Sequence, residues 1–312
     1  MRPAFIKTLV GEAEKNDSIM ILAGDVGFSV LEEFQAKFPD RYINMGIAEQ
    51  NMVGVAAGLA LTGKKVFVYS ITPFVTFRCL EQIRNDLCYQ NLNVTIVGVG
   101  TGYLYGQLGF SHHALDDVGV MKSIPNMTVL CPSTRNEVRS LVKQCIDYKS
   151  PTYIRLGKVA GAPDYDSNDG LKSIKIGDIN IINSGGGVAL LTTGDILSEV
   201  YEVYKKLQSN NLNPSLISFP TIKPFNKELI KEIFSSHNII IIIEENYILT
   251  GLGSSILLLN LQSEFNNKIL HIAVPEKFIS VAGDSNYLRK LVGLDTNSML
   301  KKINEFLDAH YG

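Results

Sequence analysis

The sequence predicts an α/β fold made of two doubly wound units, the second smaller than the first, and three observations carry that prediction. Short apolar runs recur at spacings that leave room for a helix between them, and the intervening stretches have helical periodicity. Over 158–172 both signals stop in a segment rich in Gly, Pro, Asp and Ser, after which a second series begins. Such βαβ alternation calls for a parallel sheet covered on both faces. At 312 residues the chain also exceeds the common size of one domain, so each unit has enough residues to bury its own core.

Taken in order, the strands of the first unit are expected at 18–23, 65–69, 93–99, 128–131 and 152–156. Helices are expected at 79–87 and 135–148, the second announced by Pro132-Ser133-Thr134 with Glu137 three residues on, a capping pattern. The second unit reads as strand 188–192, helix 196–208, strand 213–218, helix 227–234 and strand 239–244. Gly251-Leu252-Gly253-Ser254-Ser255 then opens a helix at 256–261, followed by strand 268–273 and a last helix at 296–309. The expected domains are 1–160 and 173–312, with no internal repeat and no low-complexity tract.

Composition narrows the function classes. Apolar residues make up 46% of the chain and charged residues 19%, with a formal charge of −2, which argues against nucleic acid or an anionic membrane as the main partner. The longest aliphatic run, 239–243, is far too short to span a bilayer. Glu12 and Glu14 among the early residues are unlike a secretory signal. Cys79, Cys88, Cys131 and Cys145 form no CxxC pair and have no histidine at ligand spacing, so core thiols in a reducing compartment are expected, with no metal ligands and a cytoplasmic location.

Three features of the first unit could carry chemistry. Glu49, in Asn44-Met45-Gly46-Ile47-Ala48-Glu49-Gln50-Asn51-Met52, lies at the mouth of a small-residue helix (53–61) that has no other acid. On its own it is also what an ordinary helix N-terminus carries, stabilised by the macrodipole. The segment Ile71-Thr72-Pro73-Phe74-Val75-Thr76-Phe77-Arg78 sits at a strand end, where α/β folds place ligand sites, although two aromatics there serve equally as core. The loop 98–113 holds glycines at 98, 100, 102, 106 and 109 and ends in Ser111-His112-His113. So many glycines imply a backbone bending tightly around something, and the paired histidines offer groups that change charge near neutrality; a solvated surface loop is the other reading.

The order of these motifs is more specific than any one of them. With Ile124-Pro125-Asn126-Met127-Thr128-Val129, Cys131-Pro132 and Pro151-Thr152-Tyr153-Ile154-Arg155-Leu156-Gly157 following in turn, the chain resembles the pyrimidine-binding and C-terminal domains of the transketolase family of thiamine-diphosphate enzymes. Leu190-Leu191-Thr192-Thr193-Gly194, Glu244-Glu245-Asn246 and Gly251-Leu252-Gly253-Ser254 extend the likeness through the second unit.

The resemblance implies roles. Glu49 matches the glutamate that hydrogen-bonds a ring nitrogen of the coenzyme's aminopyrimidine, a relay through which the coenzyme deprotonates its own thiazolium carbon. Phe74 matches the aromatic that stacks on that ring, with Phe77 as a second wall. His112 matches the histidine that contacts substrate oxygen, and His113 follows it as in deoxyxylulose-phosphate synthases; either would stabilise an alkoxide or move a proton. Lys158 stands where the family has an arginine gripping substrate phosphate, and Leu108 where transketolases carry an aspartate that accepts a sugar hydroxyl, so the substrate is expected to differ from the usual ketose phosphate.

The chain also lacks the Gly-Asp-Gly motif with a distant Asn that would hold magnesium and diphosphate. By this resemblance those groups belong to a separate diphosphate-binding N-terminal subunit, in an α2β2 assembly with thiamine diphosphate held between the subunits. The implied activity is transfer of a two-carbon ketol unit from a ketose to an aldehyde through a coenzyme-bound enamine. A pyruvate-using carboligase like deoxyxylulose-phosphate synthase, the beta subunit of a 2-oxo-acid dehydrogenase and a catalytically inactive scaffold subunit are the alternatives.

Overall fold

The computed structural model describes residues 1–157 and 173–310; the linker expected over 158–172, and Lys158 with it, lies outside the described residues. The chain begins with β1 (Ile19–Ala23), β2 (Tyr42–Asn44), β3 (Lys65–Ile71), β4 (Val94–Val99), β5 (Thr128–Leu130) and β6 (Thr152–Leu156), all in parallel register in one sheet. Then come β7 (Asn180–Asn183), β8 (Gly187–Thr192) and β9 (Ser215–Ser218), the short β10 (Thr221–Lys223), and β11 (His237–Tyr247) and β12 (Lys268–Val274). The second sheet has the order β12-β11-β8-β9-β7, with only β7 antiparallel to its neighbour. β10 does not join it. It crosses to the first sheet and pairs antiparallel with β5, giving the order β10-β5-β6-β4-β3-β1-β2.

Strands covered on both faces are the ones the sequence shows best. Every residue of β1 and of β6 is buried, in keeping with the apolar run of β1. The helix Arg135–Asp147 begins where its capping pattern places it: Thr134 Oγ1 accepts from the Glu137 amide at 3.1 Å. The fully buried Glu137 carboxylate in turn accepts from the amides of Ser133 (2.6 Å) and Thr134 (3.3 Å) and from Asn180 Nδ2 (2.8 Å), so the cap also anchors the start of the second unit.

Other elements have no counterpart in the sequence pattern. The helix Arg2–Ala13 carries Pro3 in its first turn and buries Phe5, Ile6, Leu9 and Val10; with Arg135–Asp147 it covers one face of the first sheet. The single helix expected at 79–87 is an α turn, Leu80–Gln82, running into a wider π turn, Ile83–Cys88. β2, β7 and β10 are three or four residues long, too short to produce an apolar run.

The other face of the first sheet shares its core with the second unit. Val118, Met121 and Met127 pack in one cluster with Phe219, Ile222 and Ile256. Buried charges reinforce that junction. Arg289 clasps Glu245 through two parallel bonds, Nε to Oε1 at 2.8 Å and Nη2 to Oε2 at 2.7 Å, with Glu245 3% exposed. Arg155 pairs with Asp117 at 3.0 Å and also donates to the carbonyls of Ala114 and Glu245. Lys122 Nζ donates to the Gly251 carbonyl at 2.8 Å and to the hydroxyls of Ser254 and Ser255. Among the described residues no helix is long and apolar enough to cross a membrane.

Two outcomes follow from this packing. Arg289→Ala strands a buried carboxylate and should lower the unfolding free energy in urea by about 3–5 kcal/mol, whereas Glu245→Leu combined with Arg289→Met should cost much less; equal losses would mean the ion pair is not the source. All four cysteines are free and buried, and burial pushes each thiol up to about 12. Iodoacetamide at neutral pH should therefore label none of them until denaturant is added, as intact-mass measurement would show.

Candidate active site

In the first sheet β1 lies between β3 and β2, so the chain steps from β1 to β2 on one side and crosses back to β3 on the other, the reversal of strand order at which α/β sheets open a crevice at their carboxyl ends. The connections after β2, β3 and β4 all emerge at this edge, and each supplies one of the expected groups. Glu49 opens the helix Glu49–Leu61 that follows β2, so the helix begins four residues earlier than its small-residue run suggests. Phe74 lies in the single helical turn Thr72–Thr76 after β3. His112 closes a short 3₁₀ turn, Phe110–His112, in the glycine loop after β4.

Glu49 is 4% exposed, with Ala48 before it offering no side-chain cap. In the sequence this acid stands isolated; the structure gives it a cation. Arg78 Nη1 donates to Glu49 Oε2 at 3.0 Å, and the same guanidinium lies with its carbon 4.0 Å from the centroid of the Phe74 ring. Phe74 in turn meets His112 edge to face, ring centroids 5.0 Å apart. The Gln50 side chain donates to the Arg78 carbonyl at 2.9 Å and ties the backbone of the two segments together. Acid, aromatic face and histidine thus form one cluster, with Arg78 touching two of them. Sequence reasoning misses Arg78, though its spacing of four from Phe74 puts both on one face of a helical turn.

His113 points the other way. Its ring meets Tyr103 at 5.0 Å and lines a separate cavity of about 170 Å³ with Phe77, Asp116, Tyr247 and Phe278. Phe77, expected as a second wall beside Phe74, lines this cavity with His113. Within the cavity His113 Nε2 is buried without a hydrogen-bond partner among the described residues. Burial raises the Asp116 carboxyl above its ordinary value, with the neighbouring Asp117 charge adding to it.

Burial lowers the basicity of both histidines. For His112 the positive Arg78 adds to the effect; for His113 a hydrogen bond to the Gly106 backbone opposes it. The glycines of the loop bend around protein. At Gly102, with φ +53°, a Cβ would collide with the Glu245 carboxyl group, and at Gly106 it would lie 2.6 Å from the Gly283 carbonyl oxygen. The second unit therefore presses directly on the loop that presents both histidines. Among the described residues no three His, Cys, Asp or Glu side chains gather as a metal site.

A parallel sheet with an acid, an aromatic face and a histidine converging at its carboxyl edge, followed by a second α/β unit, defines a class, and comparison with known proteins places the chain in it. Residues 1–162 match the transketolase pyrimidine-binding domain and residues 177–299 the transketolase C-terminal domain; the chain belongs to the transketolase family. More particularly, it is similar to proteins of nearly its own length. It is 33% identical to a protein named as a transketolase C-terminal section from Methanocaldococcus jannaschii, over 98% of this chain and 95% of that protein. It is also 33% identical to one of the subunits of an apulose-4-phosphate transketolase from Phocaeicola vulgatus, over 98% and 97% respectively. A solved structure of a split gene transketolase, an inactive beta4 tetramer, superposes with a TM-score of 0.85 at 30% identity, covering 98% of this chain and 97% of that one.

The lowered histidines have a pH consequence with a definite sign. Below the ordinary histidine value of 6.5 the unfolded chain binds more protons than the folded one, so stability is full above that value and declines as pH falls through the lowered folded values. Urea midpoints should drop between about pH 7 and pH 5, and His113→Gln should flatten that drop. An unchanged slope in the variant would assign the effect to other groups.

Proposed function

We propose that this chain is the pyrimidine-binding subunit of a two-subunit, thiamine-diphosphate-dependent transketolase-like enzyme, with domains 1–160 and 173–312, that transfers a two-carbon ketol unit from a ketose to an aldehyde. The observation that carries the reading is the pairing of the Glu49 carboxylate with the Phe74 ring face across one flat space. The Arg78 guanidinium fits that space with a 3.0 Å hydrogen bond on one side and a 4.0 Å stack on the other. A planar nitrogen heterocycle makes the same two contacts, so these residues fit the aminopyrimidine.

When bound, thiamine diphosphate supplies the carbon nucleophile that attacks a ketone. Glu49 would hold the ring nitrogen and share a proton with it through its carboxyl group. Phe74 fixes the plane of the ring. His112, edge-on to Phe74, stays neutral at pH 7 and donates to or accepts from a substrate oxygen. His113 and Asp116 lie one cavity away and take the remainder of the substrate. Magnesium and diphosphate belong to a partner subunit, in an α2β2 assembly. Leu108, 59% exposed, offers no hydroxyl acceptor on the histidine loop, which favours a substrate differing from the common ketose phosphates.

The test is reconstitution of the full chain with a diphosphate-binding subunit, magnesium and thiamine diphosphate, followed by donor comparison. Two-carbon transfer from a ketose supports the reading, and turnover of pyruvate instead supports the carboligase. Coenzyme binding with no turnover of any donor leaves a scaffold. Glu49→Gln should cut turnover by about a hundredfold or more with unchanged circular dichroism. Phe74→Ala should weaken coenzyme binding by about 1–3 kcal/mol, measured calorimetrically, and an unchanged affinity would remove Phe74 from the ring site.

A further inference from the structure

We propose that Arg78 occupies the seat of the coenzyme ring and swings into solvent to admit it, so that thiamine diphosphate binds in competition with a residue of the protein itself. This deepens the functional reading above and rests on it.

The two contacts that define the ring seat are both taken by Arg78. Its guanidinium is flat, delocalised and edged with N–H donors; it covers the Phe74 face at 4.0 Å and bonds Glu49 at 3.0 Å. Two planar groups cannot stack on one face of Phe74 at van der Waals separation. A ring lying on Phe74 and bonded to Glu49 therefore requires the guanidinium to leave.

The way out is open, and it needs no change of fold. The Arg78 side chain is 45% exposed although its tip reaches a carboxylate that is only 4% exposed. Its backbone is held where it is, the carbonyl by Gln50 and the preceding turn by the Phe77 amide bonded to the Pro73 carbonyl at 3.0 Å. Rotation about the side-chain bonds is enough to clear the seat.

There is also a reason for the occupancy. A carboxylate as buried as Glu49 is costly without a partner, and among the described residues Arg78 is the cation bonded to it. The arginine thus keeps the acid paired and the aromatic face covered, and it exchanges those contacts for water when the ring arrives.

The experiment has two arms. In the first, coenzyme affinity is measured calorimetrically on the full chain reconstituted with its diphosphate-binding subunit and magnesium, for wild type, Arg78→Ala and Arg78→Gln. Removing the competitor should tighten binding by about threefold to thirtyfold. Equal affinity in all three forms overturns competition, and weaker binding in both variants makes Arg78 a residue that holds the coenzyme, which also overturns it. Arg78→Gln covers the case in which the alanine variant fails to fold.

In the second arm, the Arg78 Nε–H signal is followed by ¹⁵N-resolved NMR of the full chain alone, assigned by its loss in Arg78→Gln. Ring current from Phe74 should displace it, Phe74→Leu should return it to the value of a solvated arginine, and so should coenzyme added with the partner subunit. A signal insensitive to Phe74→Leu, or one still displaced with coenzyme bound, overturns the proposal. If wild type and variants all bind no coenzyme, the functional reading falls and the displacement with it, while the Phe74-dependent signal separately reports whether Arg78 fills the seat.

Discussion

Glu245 is the constraint around which the site is arranged. A carboxylate with so little exposure must be paired and fully hydrogen-bonded, and Arg289 meets that demand with both arms of its guanidinium. The pairing brings the helix Ser285–Leu291 against the loop from the first unit, where Gly102 touches Glu245 and the Tyr103 amide donates to it at 3.5 Å. From the other side Arg155 holds Asp117 and reaches the carbonyls on either flank of the junction. Among the described residues none of the second unit bonds to Glu49, Phe74 or His112, yet that unit presses on the loop that carries the histidines.

Much of the fold is legible in the chain because its long strands are buried on both faces. β1 and the isoleucine run of β11 have no polar side to interrupt them. The helix after Thr134 is visible for a different reason, since its cap is made by side chains three residues apart. What escapes is short or decided by distant contact. β10 exists because the Thr221–Lys223 segment meets β5 far earlier in the chain, Thr221 lying opposite Leu130, and no local pattern announces that. The glycine loop stands out in the sequence, but its cause does not: the object it bends around is Glu245 and Leu288, whose approach depends on the whole second unit.

The site shows the same division. Motif order places Glu49, Phe74 and His112, and the sheet brings their three connections to one edge. His113 and Phe77, expected in that group, line the adjoining cavity. Arg78 reads in the sequence as the mere end of an aromatic segment, although it lies against both the acid and the ring face. An acid and a ring can be recognised by their neighbours in sequence; a cation between them is recognised only once their spacing in three dimensions is known.

The strand that crosses between sheets has a consequence for how the molecule comes apart. β10 closes the edge of the first sheet beside β5, and the Cys131 amide bonds the Pro220 carbonyl at 2.8 Å just beyond it. Loss of the second half would strip this edge and leave an unpaired ladder able to recruit other chains. A segment of the second half thus serves as the cover of the first half's outer strand.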